Sequence, residues 1–269
     1  MQYDPVKRRL GAVFNRTPFL RKVFYGLLDL LLLRAWHIQR ELRRWSTDKR
    51  DQDLAIYDAG AGFGQYSYWL SSRLPKARIT AIDVKEEQVA DCNAFFQKID
   101  RPQVKFEVGD VTKFTKPDTF ELVVCVDVME HILEDEAALR CYSTSLKPGG
   151  MLIISTPSDQ GGSDVHEEGE GSFIDEHVRD GYNIEDIKAK ALRNGFNKVE
   201  ARYSYGAPGK ISWKLSMKWP LLMLQASKVF FIVLPLYYLI AYPIAFVLNM
   251  ADVRMQHRTG TGLIVKAWR

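Results

Sequence analysis

The sequence predicts an α/β fold, a doubly wound and mostly parallel sheet with N-terminal helices and a hydrophobic helical insertion near the end of the chain. Three observations predict it. Short apolar runs alternate with helical patterns from about residue 54 to residue 205, as a sheet covered by helices on both faces requires. The run Leu54-Ala55-Ile56-Tyr57 leads into Asp58-Ala59-Gly60-Ala61-Gly62-Phe63-Gly64 and then into the helix-compatible stretch Gln65 to Leu74. A strand, a glycine turn and a helix N-terminus in that order form the place where open α/β sheets bind ligands. Finally, the twenty residues from Val229 to Leu248 carry no charge.

The glycine turn narrows the ligand. Glycines let the backbone approach a ligand without a Cβ in the way. A dinucleotide fingerprint would put its third glycine at position 65, which is Gln65; the spacing is G-x-G-x-G. Asp58 would repel a pyrophosphate but could pair with a ligand ammonium. Asp83 closes the run Arg78-Ile79-Thr80-Ala81-Ile82, and a carboxylate at that strand end can take both hydroxyls of a ribose. A ribose and an amino-acid ammonium without phosphate describe S-adenosylmethionine (SAM).

At these residues the sequence resembles the class I SAM-dependent methyltransferases, and the resemblance continues along the chain. Gly109-Asp110-Val111 follows a third strand, Gln103 to Val108, where that family usually places an acidic residue near the adenine. Asp127-Val128-Met129-Glu130-His131 follows a fourth strand, Glu121 to Val126, and Leu146-Lys147-Pro148-Gly149-Gly150 leads into a fifth, Met151 to Ser155. The resemblance covers about residues 50 to 205 and the last few residues. It implies the seven-stranded, Rossmann-like methyltransferase fold and SAM as cofactor, held by Asp58, Gly60, Gly62, Gly64, Asp83, Asp110, Val111 and Asp127. It also implies that Thr261-Gly262-Leu263-Ile264-Val265-Lys266-Ala267-Trp268 is the family's last strand. The chain then divides into N-terminal helices (1–50), the methyltransferase core (51–205), a hydrophobic insertion (206–258) and the last strand of the core (259–269).

In chain order, residues 1–50 carry twelve Lys or Arg against four Asp or Glu. Thr17-Pro18 reads as a cap followed by a first-turn proline. Beyond it Phe19, Val23, Phe24, Leu27, Leu31, Ala35 and Ile38 recur at helical spacing, predicting one long amphipathic helix or two. Asp29 interrupts the apolar stretch and no small-residue cleavage site follows, so a signal peptide is not expected. Such a basic helix can lie on an anionic membrane or pack over the cofactor as a lid. In the core, Lys85 to Ile99 and Leu133 to Leu146 read as helices. Phe120 to Val126 is nearly continuously apolar, as a central parallel strand is. Thr156 to Tyr182 is rich in glycine and holds eight Asp or Glu against the single Arg179, so it reads as a lid or substrate loop over the crevice. Ile184 to Asn194 is a helix ended by Gly195, and Lys198 to Tyr205 alternates as a strand.

From Ala201 through Ala251 there is no Asp or Glu. Val229 to Leu248 is long enough to cross a bilayer, and its aromatics beside Lys suit a membrane interface. A single crossing would strand the last strand on the wrong side, so Pro235 and Pro243 are expected to break the helix into a re-entrant or in-plane hairpin. Lys210, Lys214 and Lys218 would form one basic stripe facing lipid headgroups. A soluble cap or a dimer interface would bury the same apolar area. Cys92, Cys125 and Cys141 are isolated thiols without metal or disulfide spacing, which suits a reducing compartment. The cytoplasmic face of a membrane is the expected location.

SAM already carries an activated methyl, so the protein mainly aligns the acceptor and excludes water. A hydroxyl acceptor benefits from a base, for which His131 is the first candidate and His177 the second. Asp127, Glu130 and His131 are also similar to the acidic-x-x-Glu-His stretch of quinone-pathway O-methyltransferases, where those positions are associated with a divalent metal and with membrane-dependent action on a polyprenylated phenol. Asp127 is one methylene shorter than Glu, and hard cations need more oxygen ligands than this, so no metal is expected. A lipophilic acceptor such as a quinone precursor, another isoprenoid or a lipid follows, its pocket placed near Phe63, Tyr66 and residues 206–250. The acidic loop excludes nucleic acid by like charge, although a silent SAM-binding scaffold would share these motifs.

Overall fold

The computed structural model describes residues 17–161, 178–227 and 229–269. Two N-terminal helices, α1 (Pro18–Leu31) and α2 (Leu33–Trp45), precede the sheet. The elements β1 (Ala55–Ala59), α3 (Gln65–Arg73), β2 (Arg78–Asp83), α4 (Glu86–Lys98), β3 (Val104–Val108) and β4 (Phe120–Val126) follow. Next come α5 (Asp135–Ser145), β5 (Leu146–Pro157), α6 (Ile184–Arg193) and β6 (Lys198–Ser204). The last part of the chain forms α7 (Ala207–Trp213), a π-helical turn (Lys214–Lys218), α8 (Trp219–Ala226), α9 (Phe230–Arg254) and β7 (Gly262–Trp268).

Seven strands lie in the order β3-β2-β1-β4-β5-β7-β6. The first five are parallel, and β7 pairs antiparallel with both β5 and β6. Strand order therefore reverses between β1 and β4, and the crevice beyond their carboxyl ends is the switch point where such sheets take ligands. One apolar layer holds Tyr57, Phe120, Leu139, Tyr142 and Ile187 against α5 and α6. The other holds Ile38, Leu42, Ile56, Leu70 and Phe96 against α2, α3 and α4. Branched and aromatic residues fill both faces, so the central strands read as continuous apolar runs.

The insertion differs from its expected form. Pro235 and Pro243 lie inside a continuous α9, since an apolar helix supported by neighbours tolerates the lost hydrogen bonds. A separate helix, α8, precedes it. The inward stripe of α9 is Leu234, Ala241, Ala245, Asn249 and Asp252, mostly small residues that admit α7 closely. The Ser212 hydroxyl on α7 donates to Asn249 Oδ1 (2.6 Å) and lies 3.1 Å from the Ala245 carbonyl. The basic stripe is also altered: the π-helical turn shifts the register after Trp213, leaving Lys210 and Lys214 exposed and Lys218 half-buried.

Fully buried Asp252 fastens this insertion to the core. Its carboxylate accepts from His37 Nε2 (2.8 Å), Gly209 N (2.9 Å) and Tyr205 N (3.2 Å), and His257 Nε2 lies 3.2 Å away. Arg202 Nη1 donates to His37 Nδ1 at 3.1 Å, which leaves the proton of a neutral imidazole on Nε2, facing Asp252. A methyl group at Gly209 would sit 2.6 Å from Asp252 Oδ2, so glycine is what permits this contact.

Candidate active site

The glycine turn is left-handed at Gly60 (φ 69°), Gly62 (φ 50°) and Gly64 (φ 77°). A Cβ at Gly60 would meet Val128 at 2.3 Å and one at Gly64 would meet Phe106 at 2.8 Å, whereas one at Gly62 would project into open space. Packing thus explains two of these glycines, and the third leaves a cradle that a side chain would fill. Asp83 sets the turn: Gly62 N donates to its Oδ2 (2.8 Å) and Lys85 N to its Oδ1 (2.9 Å). Beneath the turn Asp58 is buried and accepts from Ser67 Oγ at 2.6 Å. Burial pushes its carboxyl up to about 6.

Asp110 sits just past β3, where the backbone N–H (2.9 Å) and hydroxyl (2.7 Å) of Thr112 bond to its Oδ1 and hold its pKa low. Val111 packs into the core. Asp127, past β4, adopts φ 53°, and its carboxylate pairs with Arg34 of α2. The Arg34 backbone N–H in turn donates to Tyr205 Oη at 2.9 Å. Tyr205 is itself left-handed, at φ 54°. For a bulky side chain that backbone costs about 1–3 kcal/mol and marks functional regions.

Glu130 and His131 lie on the turn Met129–His131 beyond β4. Glu130 is buried and accepts from Thr156 Oγ1 at 3.1 Å. Burial and then the charge of Asp127 raise its pKa far above the usual carboxylate range. His131 is half-buried at the crevice. His177 lies outside the described residues. The hydroxyl of Tyr66, a buried side chain at the start of α3, has no hydrogen-bond partner among the described residues.

A lid contact closes the other side. Arg21 and Tyr25 of α1 are buried, and both donate to the Phe63 carbonyl in the glycine turn, Arg21 Nη2 at 3.0 Å. Gln65 Nε2 donates to Asp29 at 2.7 Å. The sequence marked Asp29 as a break in the apolar stretch but could not show that the partners of Arg21, Asp29 and Arg34 lie tens of residues away. Single charges inside an apolar stripe were the available signal.

The arrangement fits SAM. The open cradle at Gly62 admits a close-lying ligand, Asp83 lies at its edge, and the Arg34–Asp127 pair is complementary to a zwitterionic amino-acid end. Among the described residues no group of three or more His, Cys, Asp or Glu side chains is placed to hold a metal ion.

The chain is similar to known methyltransferases. Residues 56–150 match a family model described as a methyltransferase domain. The chain is 31% identical over 116 residues to the ubiquinone biosynthesis O-methyltransferase of Aeromonas salmonicida (strain A449), covering 42% of this chain and 48% of that protein. It is 29% identical over 148 residues to the phosphoethanolamine N-methyltransferase of Triticum aestivum, covering 54% of this chain and 28% of that one. The match thus spans about half the length of the first relative and less of the second. Among solved structures, Haemonchus contortus phosphoethanolamine N-methyltransferase 2, bound to phosphomonomethylethanolamine and S-adenosylhomocysteine, superposes with a TM-score of 0.63 at 17% identity, over 97% of this chain and 59% of that one. That likeness is one of fold. Sheet order, glycine turn and family match define a class I methyltransferase domain. Residues 56–150 form a methyltransferase domain of that class.

Proposed function

We propose that this chain transfers the methyl group of SAM to an oxygen of a lipophilic small molecule, a quinone precursor, another isoprenoid or a lipid, at an anionic membrane surface. The observation that carries the reading is a continuous polar link from the apolar insertion to the site. Asp252 of α9 accepts from Tyr205 N, the Tyr205 hydroxyl accepts from Arg34 N, and Arg34 pairs with Asp127. The most apolar eighteen residues of α9 are only 17% buried, so the helix is poorly suited to the core of a soluble protein. The ubiquinone-pathway relatives support the substrate class.

When bound, SAM supplies a methyl activated by its sulfonium. In this reading Gly60, Gly62 and Gly64 cradle it, Asp83 takes the ribose hydroxyls, and Asp110 and Val111 flank the adenine. Asp127 and Asp58 offer negative charge to the ammonium, and Arg34 faces the carboxylate. His131, with His177 second, accepts the acceptor's hydroxyl proton as the new bond forms. Glu130, held neutral by burial, keeps negative charge out of the acceptor's path. The insertion returns to the core through β7, so it lies on one face of the membrane, the cytoplasmic one.

Two measurements test this. Isothermal titration with SAM should show binding to the full chain. With a phenol offered as a pair, bearing an isoprenoid tail in vesicles or tailless in buffer, transfer should favour the tailed form. A water-soluble acceptor is the second reading, supported by the phosphoethanolamine N-methyltransferases among the relatives. Methylation of phosphoethanolamine with no transfer to the tailed phenol would establish it and overturn the first.

A further inference from the structure

We propose that the outer face of α1 is a second lipid-facing surface, continuous with α9, so that both helices rest together in the interface of an anionic bilayer. The proposal builds on the membrane reading above and adds a part of the chain that reading does not use. Helix α1 has two faces. Its inner face carries Arg21, Tyr25 and Asp29, all engaged with the glycine turn or α3. Its outer face carries Phe19, Val23, Leu27 and Leu30, one stripe at helical spacing. All four are exposed, Phe19 at 73%. The outer face of a helix in water is ordinarily polar.

The stripe runs into the insertion. The carbonyl of Leu30 accepts from Tyr242 of α9 and from Trp36 of α2, both at 3.2 Å. Trp36 packs edge-on against Phe246 with ring centroids 5.0 Å apart. Beyond this seam α9 presents Ile232, Leu236, Leu239, Ile240 and Ile244 to the outside.

Two further observations select a bilayer over a second copy of the chain. The three tyrosines of α9 turn their hydroxyls inward, Tyr237 onto the Leu215 carbonyl (2.7 Å), Tyr238 onto the Ser216 carbonyl (2.8 Å) and Tyr242 onto Leu30. Each hydroxyl thus satisfies a backbone carbonyl of a neighbouring segment. The outer face of α9 is thereby left as hydrocarbon. Around the surface, Lys22, Lys210, Lys214, Arg254 and Arg258 are exposed. Those cations suit anionic headgroups, whereas two copies meeting face to face would bring like charges together. With α1 between the bilayer and the glycine turn, the membrane lies about one helix diameter, roughly 10 Å, from the cofactor cradle. An acceptor can then reach the site with its tail still in lipid.

The test uses the full chain and vesicles of phosphatidylcholine with phosphatidylglycerol, in flotation assays. The double variant Val23→Glu, Leu27→Glu alters only exposed α1 side chains, and Ile240→Glu serves as the α9 counterpart. SAM titration confirms that each remains folded. Each should weaken vesicle partitioning by about tenfold or more with SAM affinity unchanged. If the α1 variant floats like the parent while Ile240→Glu does not, the proposal falls and the membrane reading stands. If the parent never floats, both fall. If the α1 variant instead converts a dimer to a monomer in lipid-free sedimentation, the stripe is an interface between copies and the proposal is overturned.

Discussion

Asp58 and Arg34 show how single residues divide between structure and chemistry. Asp58 is buried with Ser67 as its partner, and burial raises its carboxyl from an ordinary 3.8 to about 6. A folded-state pKa above the unfolded one stabilises below the unfolded value, and that stability is lost as pH rises through about 6. The shift corresponds to about 3 kcal/mol. Asp58→Asn should therefore melt at a higher temperature than the parent at pH 8 and at nearly the same temperature at pH 4. It should also bind SAM more weakly if Asp58 meets the ammonium. A melting difference that does not vary with pH would contradict the burial argument. Arg34→Ala removes a charged hydrogen-bond partner worth about 2 kcal/mol, so SAM affinity should fall roughly thirtyfold in titration. Lys at this position should recover part of it. The glycine turn after β1 and Asp83 closing β2 stood out in the sequence by position, while Asp110 and Asp127 were singled out only through the family resemblance. Tyr66 was placed near the pocket because it follows the glycine turn, whereas Arg34 and Tyr205 were not legible, because what brings them to the crevice is packing between elements far apart in the chain.

Among the elements, α9 was legible as an apolar run but not in its shape. Proline was expected to break it, yet the helix runs on through Pro235 and Pro243. The hub at its end was invisible in the sequence: Asp252 reads as an ordinary charge near a helix terminus, yet it is fully buried among His37, Tyr205, Gly209 and His257. Asp252→Ala would leave those donors unpaired, and urea denaturation should show a loss of about 3–5 kcal/mol. A loss below about 1 kcal/mol would mean that water replaces the carboxylate. The N-terminal helices were read as either membrane-binding or lid-forming. In the structure the inner face of α1 packs on the glycine turn, through Arg21 and Tyr25. Arg21→Ala should expose the α1–α2 region to limited proteolysis, and SAM should restore less protection than in the parent.

For the whole molecule, the doubly wound class and the crevice after β1 followed from alternating apolar runs and a glycine turn, because those patterns are local, while the seven strands were implied by the resemblance and their order came from the structure. The acceptor is not encoded that locally. In the proposed reading it is approached through two surfaces, α1 and α9, which meet at Leu30 and Tyr242. The account joins a class I methyltransferase site to a lipid-facing surface, and both halves are read together by one measurement. The full chain is incubated with SAM carrying a labelled methyl group and with vesicles made from a lipid extract, and the products are divided between organic and aqueous phases. The account predicts label in the organic phase, dependent on vesicles and lost on His131→Ala. Label confined to water-soluble products, at a rate that vesicles do not change, would contradict it.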